Sequence, residues 1–216
     1  MSISKDEKKK RAYEIFSILK KEYPNAGPLL HYSSPFELMV ATILAAQCTD
    51  ERVNSVTPKL FTLYPNPRAM AAAPRSYLEE IIRSTGFFKN KAKSLQGASQ
   101  AIVEKFGGEF PHMIEDLVRL PGVGRKTANV VVGNCFNQPA IMVDTHMKRV
   151  SERLGLSTAK DPDKIEMELR EIIDEPDQTS FSHVVNFHGR YTCQAKKPLC
   201  GKCKIERICP YPDKLF

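Results

Sequence analysis

No stretch of this 216-residue chain stays apolar for the roughly 20 residues that a bilayer-spanning helix needs, which excludes a membrane span as its partner. The opening residues, MSISKDEKKKRAYEIF, lack the apolar core of a signal peptide. An intracellular, cytoplasmic location is expected, nucleoid-associated if the source is prokaryotic. Cysteine is scarce. Six residues are too few for a disulfide scaffold, and in a reducing compartment clustered cysteines are read as metal ligands before disulfides. Internal repeats and low-complexity segments are missing. So is any alternating strand pattern: Val130-Val131-Val132 has strand propensity, but no partner strand is visible nearby, and it reads as helix.

What the chain does have is an ordinary globular composition, 42% hydrophobic and 26% charged, long enough to bury a core as one domain or two modest lobes. Its net charge of +7 favours a polyanionic partner, nucleic acid above all. Helical periodicity dominates. Ala12, Ile15, Phe16, Leu19 and Tyr23 mark one face of a first helix. Ser34-Pro35-Phe36-Glu37 supplies a cap, an N1 proline and a glutamate three residues after the cap. The helix that follows, through LMVATILAAQ to Gln47, is apolar nearly all round, as a buried central helix would be. Pro and Gly punctuation predicts further helices at 50–63, 75–83, 91–106, 112–119, 125–134, 144–154, 162–173 and 178–189. The chain reads as all-α.

Near the C-terminus, Cys193, Cys200, Cys203 and Cys209 form C-x6-C-x2-C-x5-C. Four thiolates in so short a loop suit one metal centre, and a tetrahedral zinc and a cubane iron–sulfur cluster both accept four cysteines. Lys196, Lys197, Lys202, Lys204 and Arg207 make the loop basic, either for phosphates or as a solvated surface balancing an anionic centre. Cys48 and Cys135 lie outside this spacing and read as buried structural cysteines.

The segment LPGVGRKTANVV at 120–131 resembles a nucleotide-binding loop only superficially. Arg125 separates Gly124 from Lys126, and Arg119 stands where the first P-loop glycine belongs. With helices on both sides, Pro121-Gly122-Val123-Gly124 becomes a hairpin whose backbone amides, with the positive end of the next helix dipole, form a phosphate site. Such a site holds DNA whatever its base sequence. Lys126 is out of place at a helix N-terminus. The dipole, and any burial, would lower its pKa toward that of a Schiff-base nucleophile; a second phosphate-binding lysine fits the same stretch. Asp144, in PAIMVDTHMKRV, follows an apolar run at a helix start. It reads as an N-cap or as a carboxylate that takes a proton or stabilises charge developing on a sugar ring. His146 reads as structural, phosphate-facing or an acid–base group.

Taken together, LPGVGRKTANVV, VDTH and HGRYTC with the cysteine spacing closely resemble the endonuclease III family of helix-hairpin-helix DNA glycosylases, from about residue 10 to about 210. The resemblance implies an all-α, two-lobed fold with DNA bound between the lobes. The six-helix barrel would span 28–138, with the hairpin at about 112–134, and 1–27 plus 139–216 would form an iron–sulfur domain. It implies a [4Fe–4S] cluster on the four cysteines, Lys126 as nucleophile and Asp144 as the essential carboxylate. The expected activity is excision of oxidised pyrimidines from duplex DNA, followed by β-elimination at the abasic site, by a monomer. Gln47 matches the residue that fills the gap left by a flipped base. Phe87, in STGFFKN, stands where a smaller aliphatic wedge is usual, and an aromatic ring can also insert between bases. Lys89, Lys91 and Lys93 would touch the backbone, as would Gly122, Val123, Gly124, Arg125 and His146. A monofunctional mismatch or adenine glycosylase is the nearest alternative. Lys126 and the chain's end at Phe216, with no room for an extra domain, argue against it. A non-catalytic, metal-stabilised DNA-binding module is the alternative from another class.

Overall fold

The computed structural model describes residues 4–216, so the first three positions of the expected 1–27 segment lie outside it. No strand occurs among the described residues. Eleven α-helices do: α1 (Lys5–Glu22), α2 (Pro35–Leu44), α3 (Asp50–Leu63), α4 (Pro67–Ala71), α5 (Arg75–Ile82), α6 (Phe88–Phe106), α7 (Ile114–Leu117), α8 (Arg125–Cys135), α9 (Thr145–Arg153), α10 (Pro162–Ile172) and α11 (Gln178–Tyr191). Two compact units result, Pro28–Asn137 and the combination of Met1–Gly27 with Gln138–Phe216.

In the first unit α2 is the centre. Every residue from Phe36 to Leu44 except Glu37 is buried, and α3, α6 and α8 pack around it. The Val130–Val132 run is buried on α8, so the strand-prone valines serve as core of a helix. Ser34 caps α2, its Oγ accepting the Glu37 N–H at 3.2 Å. The Glu37 carboxylate reaches back one residue further than a capping box predicts, to the Ser33 N–H at 2.6 Å. The helix stops at Leu44, not at Gln47 as the apolar run suggests, because the chain turns through Ala45 and Ala46 and Gln47 takes a left-handed backbone, φ 54°. The short α4, which the sequence pattern does not mark, is capped by Asn66 and packs on α6. Cys48 and Cys135 are only half-buried, which corrects the expectation of buried structural thiols: both follow the last buried turn of a helix.

In the second unit α1 packs on α10 and α11, and α9 packs on α11. Ala12, Ile15, Phe16 and Leu19 of α1 join Met147, Val150, Leu169, Phe181 and Val185 in one core. Tyr23 is half-buried at its margin. The α9–α11 contact depends on Gly189. A Cβ there would stand 2.9 Å from the His146 Cβ and 3.0 Å from a Val150 methyl.

Candidate active site

The hairpin is tighter than its sequence suggests. Its first helix is the single turn α7, not the expected 112–119. Val123 anchors the turn: its side chain is buried and its N–H donates to the Leu120 carbonyl at 3.0 Å. That removes Val123 from the groups facing outward and leaves Gly122, Gly124 and Arg125 exposed. The two glycines serve different ends. Gly122 has φ 77°, and a Cβ on it would meet the Ser94 Cβ of α6 at 2.4 Å, so the fold itself requires it. Gly124 is the N-cap of α8 in an extended conformation that any residue adopts, and a Cβ on it would meet nothing within 4 Å. Ser, Asp or Asn would each cap α8 better than glycine. Nothing in the fold requires glycine here, and its missing side chain leaves room for an anion to approach the first-turn amides closely.

Lys126 follows in that first turn and is exposed, so burial does not help to activate it in the free protein.

Asp144 is the N-cap of α9, and its Oδ1 accepts the Met147 N–H at 2.8 Å. Its other oxygen, Oδ2, accepts from the Asn186 side-chain amide at 2.5 Å. Asn186 lies on α11 three residues before Gly189, so the close approach that Gly189 permits is what brings this amide to the carboxylate. Sequence reasoning missed Asn186. Its only signal is a polar residue interrupting the VVNF run of α11. His146, half-buried, has its Nδ1 at 3.2 Å from the Arg149 guanidinium. Arginine can only donate, so Nδ1 is the acceptor and the ring proton sits on Nε2.

Gln47 and Phe87 are both exposed and both left-handed, with Phe87 at φ 47° and 63% exposed. Lys89 and Lys93 are exposed as expected. Lys91 is not: it is buried and bonds two carbonyls of the protein, which corrects its assignment to the DNA backbone.

The four C-terminal cysteines line one pocket together with Arg153 and His188. Single 3₁₀ turns at Cys200–Lys202 and Glu206–Ile208 shape the loop. Arg153 donates to the Cys193 sulfur at 3.3 Å and to the carbonyls of Gln194 and Ala195. Burial, reinforced by the neighbouring thiols, pushes Cys203 up to about 11, and burial raises Cys209 as well. Four thiolates gathered in this pocket therefore need strong compensating positive charge, which is the demand a metal centre meets. Each basic side chain of the loop, Lys196, Lys197, Lys202, Lys204 and Arg207, is exposed around it.

The sequence profile of the HhH-GPD superfamily of base excision DNA repair proteins matches residues 40–175. Endonuclease III of Synechocystis sp. is 55% identical over 94% of this chain and 93% of its own length. The chain belongs to the endonuclease III family. Among solved structures, a trapped endonuclease III–DNA covalent intermediate superposes with a TM-score of 0.90 at 41% identity, covering 94% of this chain and 96% of that one. A thermostable thymine-DNA glycosylase, at 22% identity and a TM-score of 0.85 over 94% of this chain and 96% of its own, shares the fold. Fold alone therefore does not separate glycosylase chemistries, and the site residues must. Endonuclease III proteins carry an iron–sulfur cluster, and the four cysteines of this chain line one pocket.

Proposed function

We propose that this endonuclease III-family protein is a bifunctional DNA glycosylase and AP lyase of base excision repair, acting in the cytoplasm on chromosomal duplex DNA with oxidised pyrimidines or abasic sites. Lys126 is its nucleophile and Asp144 its essential carboxylate. The damaged nucleotide is rotated out of the stack. Gln47 fills the gap and Phe87 wedges the duplex open. Gly122, Gly124, Arg125 and His146 hold the backbone. The neutral amine of Lys126 attacks the anomeric carbon, the glycosidic bond breaks, and the base leaves with a proton. Asp144 accepts a proton released in this step or stabilises positive charge on the sugar. The C1′–O4′ bond of the resulting aminal then breaks, O4′ taking up a proton, and the Schiff base so formed acidifies the adjacent sugar C–H. Loss of that proton expels the 3′ phosphate by β-elimination, and water then releases the enzyme.

On this reading residues 28–138 are the helical-barrel domain and 1–27 with 139–216 the cluster domain. Cys193, Cys200, Cys203 and Cys209 hold a [4Fe–4S] cluster, whose charge compensates the four thiolates and braces the basic loop against phosphates.

The observation that carries the reading is an exposed lysine amine in the first turn of a helix whose N-cap glycine is unexplained by the fold. The test is borohydride trapping on a duplex containing thymine glycol, with Lys126→Ala alongside. A covalent adduct is expected with the wild type alone. Base release without an adduct would indicate a monofunctional glycosylase. Binding with neither release nor adduct would indicate a non-catalytic module.

A further inference from the structure

Lys91 sits in the first turn of α6 and is 5% exposed. Its ammonium donates to the Leu44 carbonyl at 2.8 Å and to the Thr85 carbonyl at 2.7 Å. Leu44 is the last residue of α2, at the negative end of that helix. The N–H that would continue the helix onto its carbonyl, that of Cys48, goes to Ala45 instead at 3.1 Å. Thr85 closes the 3₁₀ turn Arg83–Thr85 and is itself buried, its hydroxyl bonded to the Ile82 carbonyl at 2.8 Å. Gln47 lies three residues beyond Leu44, and Phe87 two residues beyond Thr85. These are two of the three non-glycine residues with positive φ among those described. A left-handed backbone is costly for a residue with a Cβ and persists only where its surroundings hold it.

One buried cation therefore clamps the roots of both loops. We propose that Lys91 is a positioning residue that locks the Gln47 and Phe87 loops together, so that gap-filling and wedge side chains enter the duplex as a single unit. The proposal rests on the reading that these two side chains insert. An apolar residue in this place would fill the space but leave two buried carbonyls without their donor and the two loops independent. A buried ammonium is costly, and burial lowers its pKa here, so lysine is not the residue that core packing alone would favour. Lys89 and Lys93, exposed on the same helix, are the contrast: they face solvent and remain candidates for phosphate.

The test is a double-mutant cycle on the full-length protein, loaded with its cluster. The probe is a duplex with a stable abasic analogue opposite 2-aminopurine. Binding to this and to undamaged duplex is measured, with the fluorescence rise that reports unstacking. Gln47→Ala, Phe87→Ala and their combination are compared in the wild-type and Lys91→Met backgrounds. With Lys91 present, the two truncations are expected to be non-additive by about five- to tenfold in affinity for the damaged duplex. With Lys91→Met the coupling is expected to vanish and discrimination against undamaged DNA to fall about tenfold, the size of one lost interaction. Affinity for undamaged DNA and its salt dependence are expected to stay unchanged. If Lys91→Met does not fold, the shorter, neutral Lys91→Gln takes its place with the same expected loss of coupling. Coupling that survives either substitution overturns the proposal alone. So does equal weakening on both duplexes with a shallower salt slope, which would make Lys91 a phosphate contact. A wild type showing no fluorescence rise overturns the insertion reading and the proposal with it.

Discussion

Both oxygens of Asp144 are engaged. Oδ1 caps α9 and Oδ2 takes the Asn186 amide, so the carboxylate is held in one orientation before any substrate arrives. The N-cap bond and the proposed catalytic role, which compete as readings of the sequence, are thus compatible in one side chain. Asn caps a helix as well as Asp does, so Asp144→Asn is expected to fold and to bind DNA while losing roughly 10²- to 10⁴-fold in turnover, the range of a lost acid–base group. Wild-type rates would remove Asp144 from the mechanism. Asn186→Leu removes the amide and leaves the carboxylate in place. A hydrogen bond to a charged group contributes about 1.5–3 kcal/mol, so single-turnover base release is expected to slow by roughly ten- to a hundredfold with DNA affinity unchanged. Unchanged release would make the Asn186 contact incidental to catalysis.

Among the elements, the hairpin separates what the fold needs from what the ligand needs. Gly122→Ala places a Cβ on a left-handed backbone and into Ser94. The left-handed conformation alone costs about 1–2 kcal/mol, and a lower melting temperature is expected. Gly124→Ser should do the reverse. It offers α8 a better cap in open space, so stability is expected to hold or rise. DNA affinity should fall on the order of tenfold, the worth of one hydrogen bond to a charged phosphate. Melting curves and titrations of both variants check the pair; undiminished affinity in Gly124→Ser would remove the phosphate from that position. Most helices were legible because their signals are local. The Asp50–Leu63 span of α3 coincides with the expected one, and the Ser34 and Pro35 start of α2 was written in the sequence. What was illegible is set by distant partners or by brevity. The five residues of α4 are too few for periodicity to register. The last carbonyl of α2 is met by a cation from α6, 47 positions away. Lys91 itself sits in a KNKAK run that reads as surface, and only packing reveals its burial. The cysteine spacing suits a metal centre but does not choose between zinc and iron–sulfur, since both accept four cysteines.

For the molecule as a whole, the net charge of +7 matters through its placement. The cysteine loop concentrates exposed cations, with Lys196 and Lys197 on the stretch between Cys193 and Cys200. Arg153 ties the same stretch to α9 through the Gln194 and Ala195 carbonyls, so these lysines ride on an anchored surface and not on a loose one. If they meet phosphates, each releases a counterion on binding and steepens the dependence of log affinity on log salt by about 0.9. The double substitution Lys196→Gln with Lys197→Gln is therefore expected to flatten that slope by about 2. At saturating protein, borohydride trapping should be unaffected, because neither lysine takes part in the chemistry. Titrations of undamaged duplex from low to moderate salt measure the slope directly. A slope identical to the wild type's would assign these charges to solvent and to the balance of the proposed cluster, and would move the phosphate contacts to the hairpin and α6. A flattened slope with trapping intact would make the cysteine loop a second electrostatic anchor, separate from the residues that do the chemistry.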